Sequence, residues 1–371
     1  MKAVAVFPKR QLVRTVEHDE PELTAPTEVL LEMLEVGVCG TDKEICSFQY
    51  GTPPAESDYL VLGHESLARV AEVGGEVGQF QPGDLVVPSV RRPCHHDHCP
   101  ACRVDRQDFC FTGDFTERGI KQRHGFLAER IVEDQRYLNL VPGELREVAV
   151  LIEPLTVAEK ALRQIWDVQQ RLPWATPESM DRPQGYRWQA LVLGAGPVGL
   201  LGAMALAGRG FETYVYSREP VGGPRSKIVE ALGGTFVSAS ETSIEQLAEM
   251  ISSIDLVYEA TGASGLCFEV LKYLGTNGVF VFTGVPGRKA PIEVETDLIM
   301  RNLVLKNQVV FGTVNAGQPA FEHAAEDLRM FMRRWPDAVA GLITAHYPLD
   351  GFEELLRGEA PGIKNVIQVA A

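Results

Sequence analysis

Before Leu151 the apolar residues come in short alternating or continuous runs, broken by Pro and Gly. Residues 2–7, 29–36 and 67–73 fit strands, the last ending at the turn Gly74-Gly75. Gln81-Pro82-Gly83-Asp84 reads as a turn entering a strand at 85–87, and residues 94–110 read as loop. From Leu151 the period lengthens. Ile152, Leu155, Val157, Ala158, Ala161, Leu162, Ile165 and Trp166 share one face of a helix. Residues 173–187 hold three prolines and a glycine and read as an exposed connection. Ala190-Leu191-Val192-Leu193 is a fully apolar run of the parallel-strand kind. A Gly-rich turn, an apolar helix at 198–207 and a strand at 213–216 follow. Further strands are expected at 255–258, 278–282 and 308–311. This alternation predicts an α/β doubly wound parallel sheet. From Asn315 a helix at 320–334 and a closing strand at 363–369 complete the chain.

The 371 residues allow two domains. Acidic residues outnumber basic ones 50 to 35, a net charge of −15 that argues against nonspecific binding to nucleic acid or to an anionic membrane. No run of 18 apolar residues exists, so no membrane span is expected, and residues 1–12 lack a signal-peptide core. Cytoplasm is the expected location. Seven cysteines, four of them within 17 residues, read as metal ligands rather than disulfide partners.

Gly194-Ala195-Gly196-Pro197-Val198-Gly199 lies after a predicted strand and before a predicted helix, the context of a dinucleotide cradle. Gly194 permits the turn, Gly196 lets backbone approach a pyrophosphate, and Gly199 lets helix and sheet pack closely. The next strand ends in Ser217-Arg218, where an NAD-selective site would carry a carboxylate. Arg218 can bind a 2′-phosphate, with Arg225 and Lys227 nearby, while Glu219 can oppose it or turn inward. NADP is therefore expected over NAD, with dual use allowed.

Two sets of metal ligands stand out. Gly37-Val38-Cys39-Gly40-Thr41-Asp42 and Gly63-His64-Glu65 supply Cys39 and His64, with Glu65 as ligand or supporting carboxylate. Cys94, Cys99, Cys102 and Cys110 suit a closed tetrahedral site; His95, His96 and His98 lie in the same loop and can replace one cysteine.

In this order the motifs resemble the medium-chain zinc alcohol dehydrogenase superfamily. Within it they resemble the archaeal-type glucose 1-dehydrogenases. The resembling stretches are Val61-Leu62-Gly63-His64-Glu65, Val90-Arg91-Arg92, Asp108-Phe109-Cys110, Glu117-Arg118-Gly119-Ile120, Glu153-Pro154-Leu155, Ser217-Arg218-Glu219-Pro220 and Thr313-Val314-Asn315. The resemblance implies a GroES-like β-barrel catalytic domain with a zinc lobe at 1–185, a Rossmann domain at 186–312, and a return to the catalytic domain at 313–371. It implies oxidation of D-glucose or a related aldose at C1, with NAD(P) and zinc. Cys39, His64 and Glu153 match the catalytic zinc ligands, with Glu65 as an additional or alternating one. Cys94, Cys99, Cys102 and Cys110 match the structural zinc lobe, although its first gap is two residues longer than usual. Thr41, Glu117, Glu153 and Asn315 match sugar-contacting positions. Gly194 to Gly199, Ser217, Arg218, Thr313, Val314 and Asn315 match cofactor positions. Thr41 is expected to relay a proton and Asp42 to fix the tautomer of His64. Ser89-Val90 and Leu305 depart from relatives that carry Asn and His near those places, which bears on strict glucose specificity. The alternatives are a polyol or secondary-alcohol dehydrogenase and a noncatalytic NADPH-binding sensor. A homodimer or homotetramer is expected, with a small sugar as the partner molecule.

Overall fold

The computed structural model describes residues 1–174, 184–287, 291–358 and 361–370. Most of the connection expected at 173–187 therefore lies outside the described residues. The chain forms two compact units. One comprises Met1–Thr156, Asn315–Arg329 and Leu342–Ala371; the other comprises Val157–Val314 and Met330–Gly341. The sequence places the domain limits at 185/186 and 312/313, whereas the units divide at Thr156 and Val314.

The first unit is organised on the strand Glu28–Val38. It pairs antiparallel with Glu65–Val73, with Arg130–Asp134 and with the C-terminal strand Lys364–Gln368. In the first half of this strand burial alternates, as one face meets the core and the other meets water. From Met33 to Val38 every residue is buried. Leu31, Met33, Leu62, Phe126 and Ile367 meet in one core with almost no exposure. Each such side chain contributes about 1.5–3 kcal/mol by leaving water. The helix Gly40–Cys46 starts directly after Glu28–Val38. The sequence reading found the strand but not this helix, because seven residues are too few to show a period.

The second unit holds a six-stranded parallel sheet. Its spatial order is Thr235–Ser238, Glu212–Ser217, Gln189–Leu193, Ile254–Glu259, Leu274–Phe282 and Val309–Gly312. Numbered along the chain this is 3-2-1-4-5-6, so the order reverses beside Gln189–Leu193. Leu191, Val192 and Leu193 are fully buried, as a strand covered on both faces requires. The helix Pro197–Gly208 follows the Gly-rich turn at the carboxyl end of that strand.

A cluster of two histidines and a tyrosine locks the first hairpin to the loop before Phe126. His18 Nδ1 meets Tyr59 Oη at 2.8 Å, and His124 Nδ1 accepts from the Val61 N–H at 3.1 Å. The His18 and His124 rings lie 4.9 Å apart. Burial lowers the pKa of His124 to about 4, helped by the charges of His18 and Arg118. Burial also lowers His18, with the N-terminal amine adding and Asp19 opposing. The fold thus favours the neutral rings, whereas the unfolded chain protonates them near the ordinary histidine value of about 6.5. Their contribution is present above that pH and is lost as pH falls toward 4. Thermal unfolding followed at neutral pH and at about pH 5 should show this loss in the wild type. His124→Gln should flatten the slope, even where it lowers stability at neutral pH.

Candidate active site

The site begins where Glu28–Val38 ends. Cys39 caps the helix Gly40–Cys46: its Sγ accepts from the Thr41 N–H at 3.3 Å. Asp42 Oδ2 in turn accepts from the Cys39 N–H at 3.0 Å, completing a capping box. The other oxygen, Oδ1, faces His64 Nδ1 at 3.4 Å. His64 Nε2 lies 3.0 Å from Cys39 Sγ. Asp42 therefore holds the helix start with one oxygen and faces the imidazole with the other. Thr41, the residue expected to relay a proton, is half-buried in the same first turn.

The donor atoms of Cys39, His64 and Glu65 lie within 4.8 Å of one another. Glu65 sits opposite Gly37 in the sheet register. A Cβ at Gly37 would stand 2.4 Å from Glu65 Oε2, so only glycine lets this carboxylate occupy its place. Lys364, 1% exposed, ion-pairs with Glu65 and donates to the Val38 carbonyl at 3.3 Å. Glu153, in the first turn of Ile152–Gln169, lies outside the close trio but within electrostatic reach of His64, Glu65 and Lys364.

The ionisations reflect crowding of negative charge. Burial pushes the Cys39 thiol up, His64 opposes, and Asp42 and Glu65 add to the rise. Burial alone would raise Asp42, but His64 and the Cys39 N–H outweigh it and hold Asp42 below the usual range. Burial opposes the charge on His64, yet Cys39 and Asp42 push its pKa well up. Burial, with Glu65 and Asp42, raises Glu153 to about 7 against His64 and Lys364. A half-buried thiol and three carboxylates thus crowd around His64 and Lys364, a donor set that suits a divalent cation.

Beside it a second polar group forms. Arg91 pairs with Glu117 in a short antiparallel ladder, and its Nε and Nη2 each meet Glu117 Oε1 at 3.0 Å. Asn315 Nδ2 donates to the same oxygen at 3.0 Å. Ser89 turns away and donates to the Tyr137 carbonyl at 3.3 Å.

In the lobe, Cys94, Cys99, Cys102 and Cys110 bring their sulfurs within 4.8 Å of one another. Cys99 and Cys110 are 4.0 Å apart. Bonds of about 2.3 Å to a tetrahedral zinc place the sulfurs about 3.8 Å apart, so the tetrad fits that ion. All four cysteines belong to it; His96 instead faces Asp114 at 2.5 Å. The segment is loop except for two short 3-10 turns, Cys102–Val104 and Gln107–Phe109.

In the second unit the three glycines differ. Gly194 has φ +99°, and a Cβ at Gly199 would stand 2.1 Å from the Gly194 carbonyl oxygen, so the turn itself requires both. A Cβ at Gly196 would meet nothing within 4 Å. The protein's own packing does not demand that glycine, and the open space there would admit a phosphate lying on the turn. No side chain caps the start of Pro197–Gly208, which leaves its first N–H groups for such an anion. Ala195 completes the turn, and Pro197 and Val198 open the helix. At the end of Glu212–Ser217, Arg218 is exposed, whereas Glu219 turns back to pair with Ser217 Oγ and Arg225. Thr313 donates its N–H to the Phe282 carbonyl at 2.9 Å, leaving Oγ1 buried and unpartnered. The Val314 carbonyl accepts from Lys160 at 3.0 Å. Leu305 is exposed.

Sequence reasoning missed Lys364 and assigned no role to Arg91. A single lysine opening an apolar strand reads as solvated, and Arg91 is marked only by the resemblance of Val90-Arg91-Arg92. The signal for Arg91 was its place beside Arg92 in an otherwise apolar run.

Residues 25–143 match the alcohol dehydrogenase GroES-like domain family, and residues 146–369 match the glucose dehydrogenase C-terminus family. The chain is 39% identical to a glucose 1-dehydrogenase of Methanocella arvoryzae, over 100% of both chains. It is 39% identical to one of Thermoproteus tenax, over 100% of this chain and 99% of that one. Among solved structures it resembles Haloferax mediterranei glucose dehydrogenase in complex with NADP, Zn and gluconolactone. That likeness has a TM-score of 0.88 at 31% identity and covers 100% of both chains.

Metal binding at the lobe is also folding energy for its loop. Cys102→Ser should release one zinc per chain and lower the unfolding temperature. Elemental analysis of the purified variant and wild type, with thermal unfolding of both, checks this.

Proposed function

We propose, for a chain that belongs to the glucose dehydrogenase family of zinc-type medium-chain alcohol dehydrogenases, oxidation of D-glucose or a related aldose at C1. The product is the lactone, and the hydride passes to NADP in preference to NAD. The observation that carries this reading is the full-length likeness to an enzyme solved with gluconolactone, zinc and NADP. The crowded carboxylates and thiol around His64 and the unfilled space at Gly196 support it from this chain's own residues.

In this reading Cys39, His64 and Glu153 hold the catalytic zinc, and Glu65 exchanges between the metal and Lys364. When bound, zinc acts as a Lewis acid toward the C1 hydroxyl and the nicotinamide accepts the hydride from C1. Asp42 keeps the proton of His64 on Nδ1, so that Nε2 remains a ligand. Thr41 carries the hydroxyl proton away. Glu117, Glu153 and Asn315 bind sugar hydroxyls, and a sugar lacking one leaves a buried polar group unpaired. Gly194 to Gly199 cradle the pyrophosphate. Ser217 and Arg218 face the adenosine ribose and its phosphate, and Thr313, Val314 and Asn315 line the nicotinamide end. Cys94, Cys99, Cys102 and Cys110 hold a structural zinc. We take the assembly as a homodimer or homotetramer in the cytoplasm. None of the seven cysteines is in a disulfide, which supports a reducing compartment, and no described helix is long and apolar enough to cross a membrane.

A panel of aldoses, polyols and secondary alcohols with both cofactors tests the activity. Glucose or a close aldose should give the highest kcat/KM, and a polyol in first place would overturn the reading. Glu219 engages Ser217 and Arg225, and Arg218, exposed at the strand end, is the cation assigned to the 2′-phosphate, with Arg225 and Lys227 nearby. NADP should be preferred by about tenfold in kcat/KM, or about 1.4 kcal/mol. Arg218→Ala should remove most of that preference, and should weaken 2′-AMP binding in calorimetry while AMP binding is unchanged.

A further inference from the structure

We infer that Arg91 is the positioning residue for sugar recognition, acting by fixing which oxygen of Glu117 faces the substrate; this rests on the reading of the chain as a glucose 1-dehydrogenase.

The geometry is lopsided. Three donors, Arg91 Nε, Arg91 Nη2 and Asn315 Nδ2, all meet Glu117 Oε1 at 3.0 Å. Oε2 receives none of them. A carboxylate that shared its donors between both oxygens would present two equivalent acceptors. This one presents a single acceptor in a fixed direction, while Arg91 offsets its charge.

Arg91 is itself immobilised on three sides. It is 6% exposed. Its Nη1 donates to the Asp108 carbonyl at 3.3 Å, two residues before Cys110 of the lobe. Its guanidinium lies 3.7 Å from the centroid of the Phe115 ring. Glu117 holds its third side through Nε and Nη2. A buried guanidinium with this many constraints holds its fork in one orientation, which a lysine ammonium at the same place cannot do.

Asn315 completes the arrangement. It adopts φ +57°, and its Oδ1 accepts from the Ala316 N–H at 2.8 Å. Its amide is therefore oriented, with one Nδ2 hydrogen on Glu117 and the second left for a ligand. Arg91 thus holds Glu117 directly and Asn315 only through the Glu117 oxygen that both donate to. Neither residue is a zinc ligand.

Two variants separate positioning from mere support. Arg91→Lys keeps the charge and loses the fork; Arg91→Met keeps bulk and loses both. The measurement is kcat and KM for glucose and its monodeoxy analogues, with KM for NADP and zinc content alongside. In Arg91→Lys the glucose KM should rise about tenfold, with a larger rise in Arg91→Met. The change in kcat should be smaller, and NADP KM and zinc content should stay at the wild-type values. The penalty that wild type imposes on its worst monodeoxy analogue should shrink in both, because the acceptor that reads the missing hydroxyl is no longer fixed. If Arg91→Met does not fold, Arg91→Lys decides alone. Variants that keep the wild-type glucose KM and deoxy-sugar penalty overturn the role of Arg91, as does a loss shared equally by kcat, glucose KM and NADP KM. A wild type that oxidises no aldose overturns the functional reading and this inference with it.

Discussion

Negative charge packed into a buried volume is the constraint from which the first unit's site follows. Burial favours the neutral forms of Cys39 and Glu153; Asp42 and Glu65 add to this, His64 opposes it at both, and Lys364 opposes it at Glu153. Such a cluster is costly unless cations meet it. One cation is built in. The pairing of Lys364–Gln368 with Glu28–Val38 brings Lys364 against Glu65 and the Val38 carbonyl. Burial opposes the charge on Lys364, yet Glu65 and Cys39 raise its pKa. A divalent ion held there would meet the remaining deficit. The return of the chain end to the first unit is therefore an electrostatic requirement as well as a packing one.

The same logic explains why Asp42 and Gly37 stand where they do. Asp42 spends one oxygen on the backbone of Cys39 and points the other at His64, so the helix start and the imidazole are fixed by one side chain. Gly37 leaves room for Glu65 at a distance where any side chain would collide with it. Removing either residue would disturb ligands that it never coordinates itself.

Local motifs made part of this legible in the sequence. Cys39 and Asp42 lie on one helical turn, His64 and Glu65 are adjacent, and the four lobe cysteines fall in one loop. The parallel sheet was legible for a similar reason: a strand such as Gln189–Leu193, covered on both faces, is a continuous apolar run. Lys364 was not legible, because its partner Glu65 lies 299 residues away and nothing local marks the lysine as buried. The helix Ser264–Leu271 and the strand Thr235–Ser238 were missed because each is too short to establish a period. Glu219 was left open and is settled only by its contacts with Ser217 and Arg225.

Glycines separate what the fold needs from what a ligand needs. At Gly199 a side chain would collide with the turn's own backbone, so the residue would be glycine in any protein that made this turn. At Gly196 the protein leaves open space, and the glycine has no internal reason. The same division runs through the polar groups. Glu259 is wholly buried and satisfied within the fold: it accepts from the Thr261 hydroxyl at 2.7 Å, from the Gly262 N–H at 2.7 Å and from the Gly284 N–H at 3.0 Å. It thereby ties together the loops that follow two neighbouring strands. Glu117 gathers its donors on one oxygen and leaves the other aside. In the proposed reading that second oxygen is the one a sugar hydroxyl would meet. That asymmetry is visible only once donors hundreds of residues apart, such as Asn315 and Arg91, are brought to the same atom.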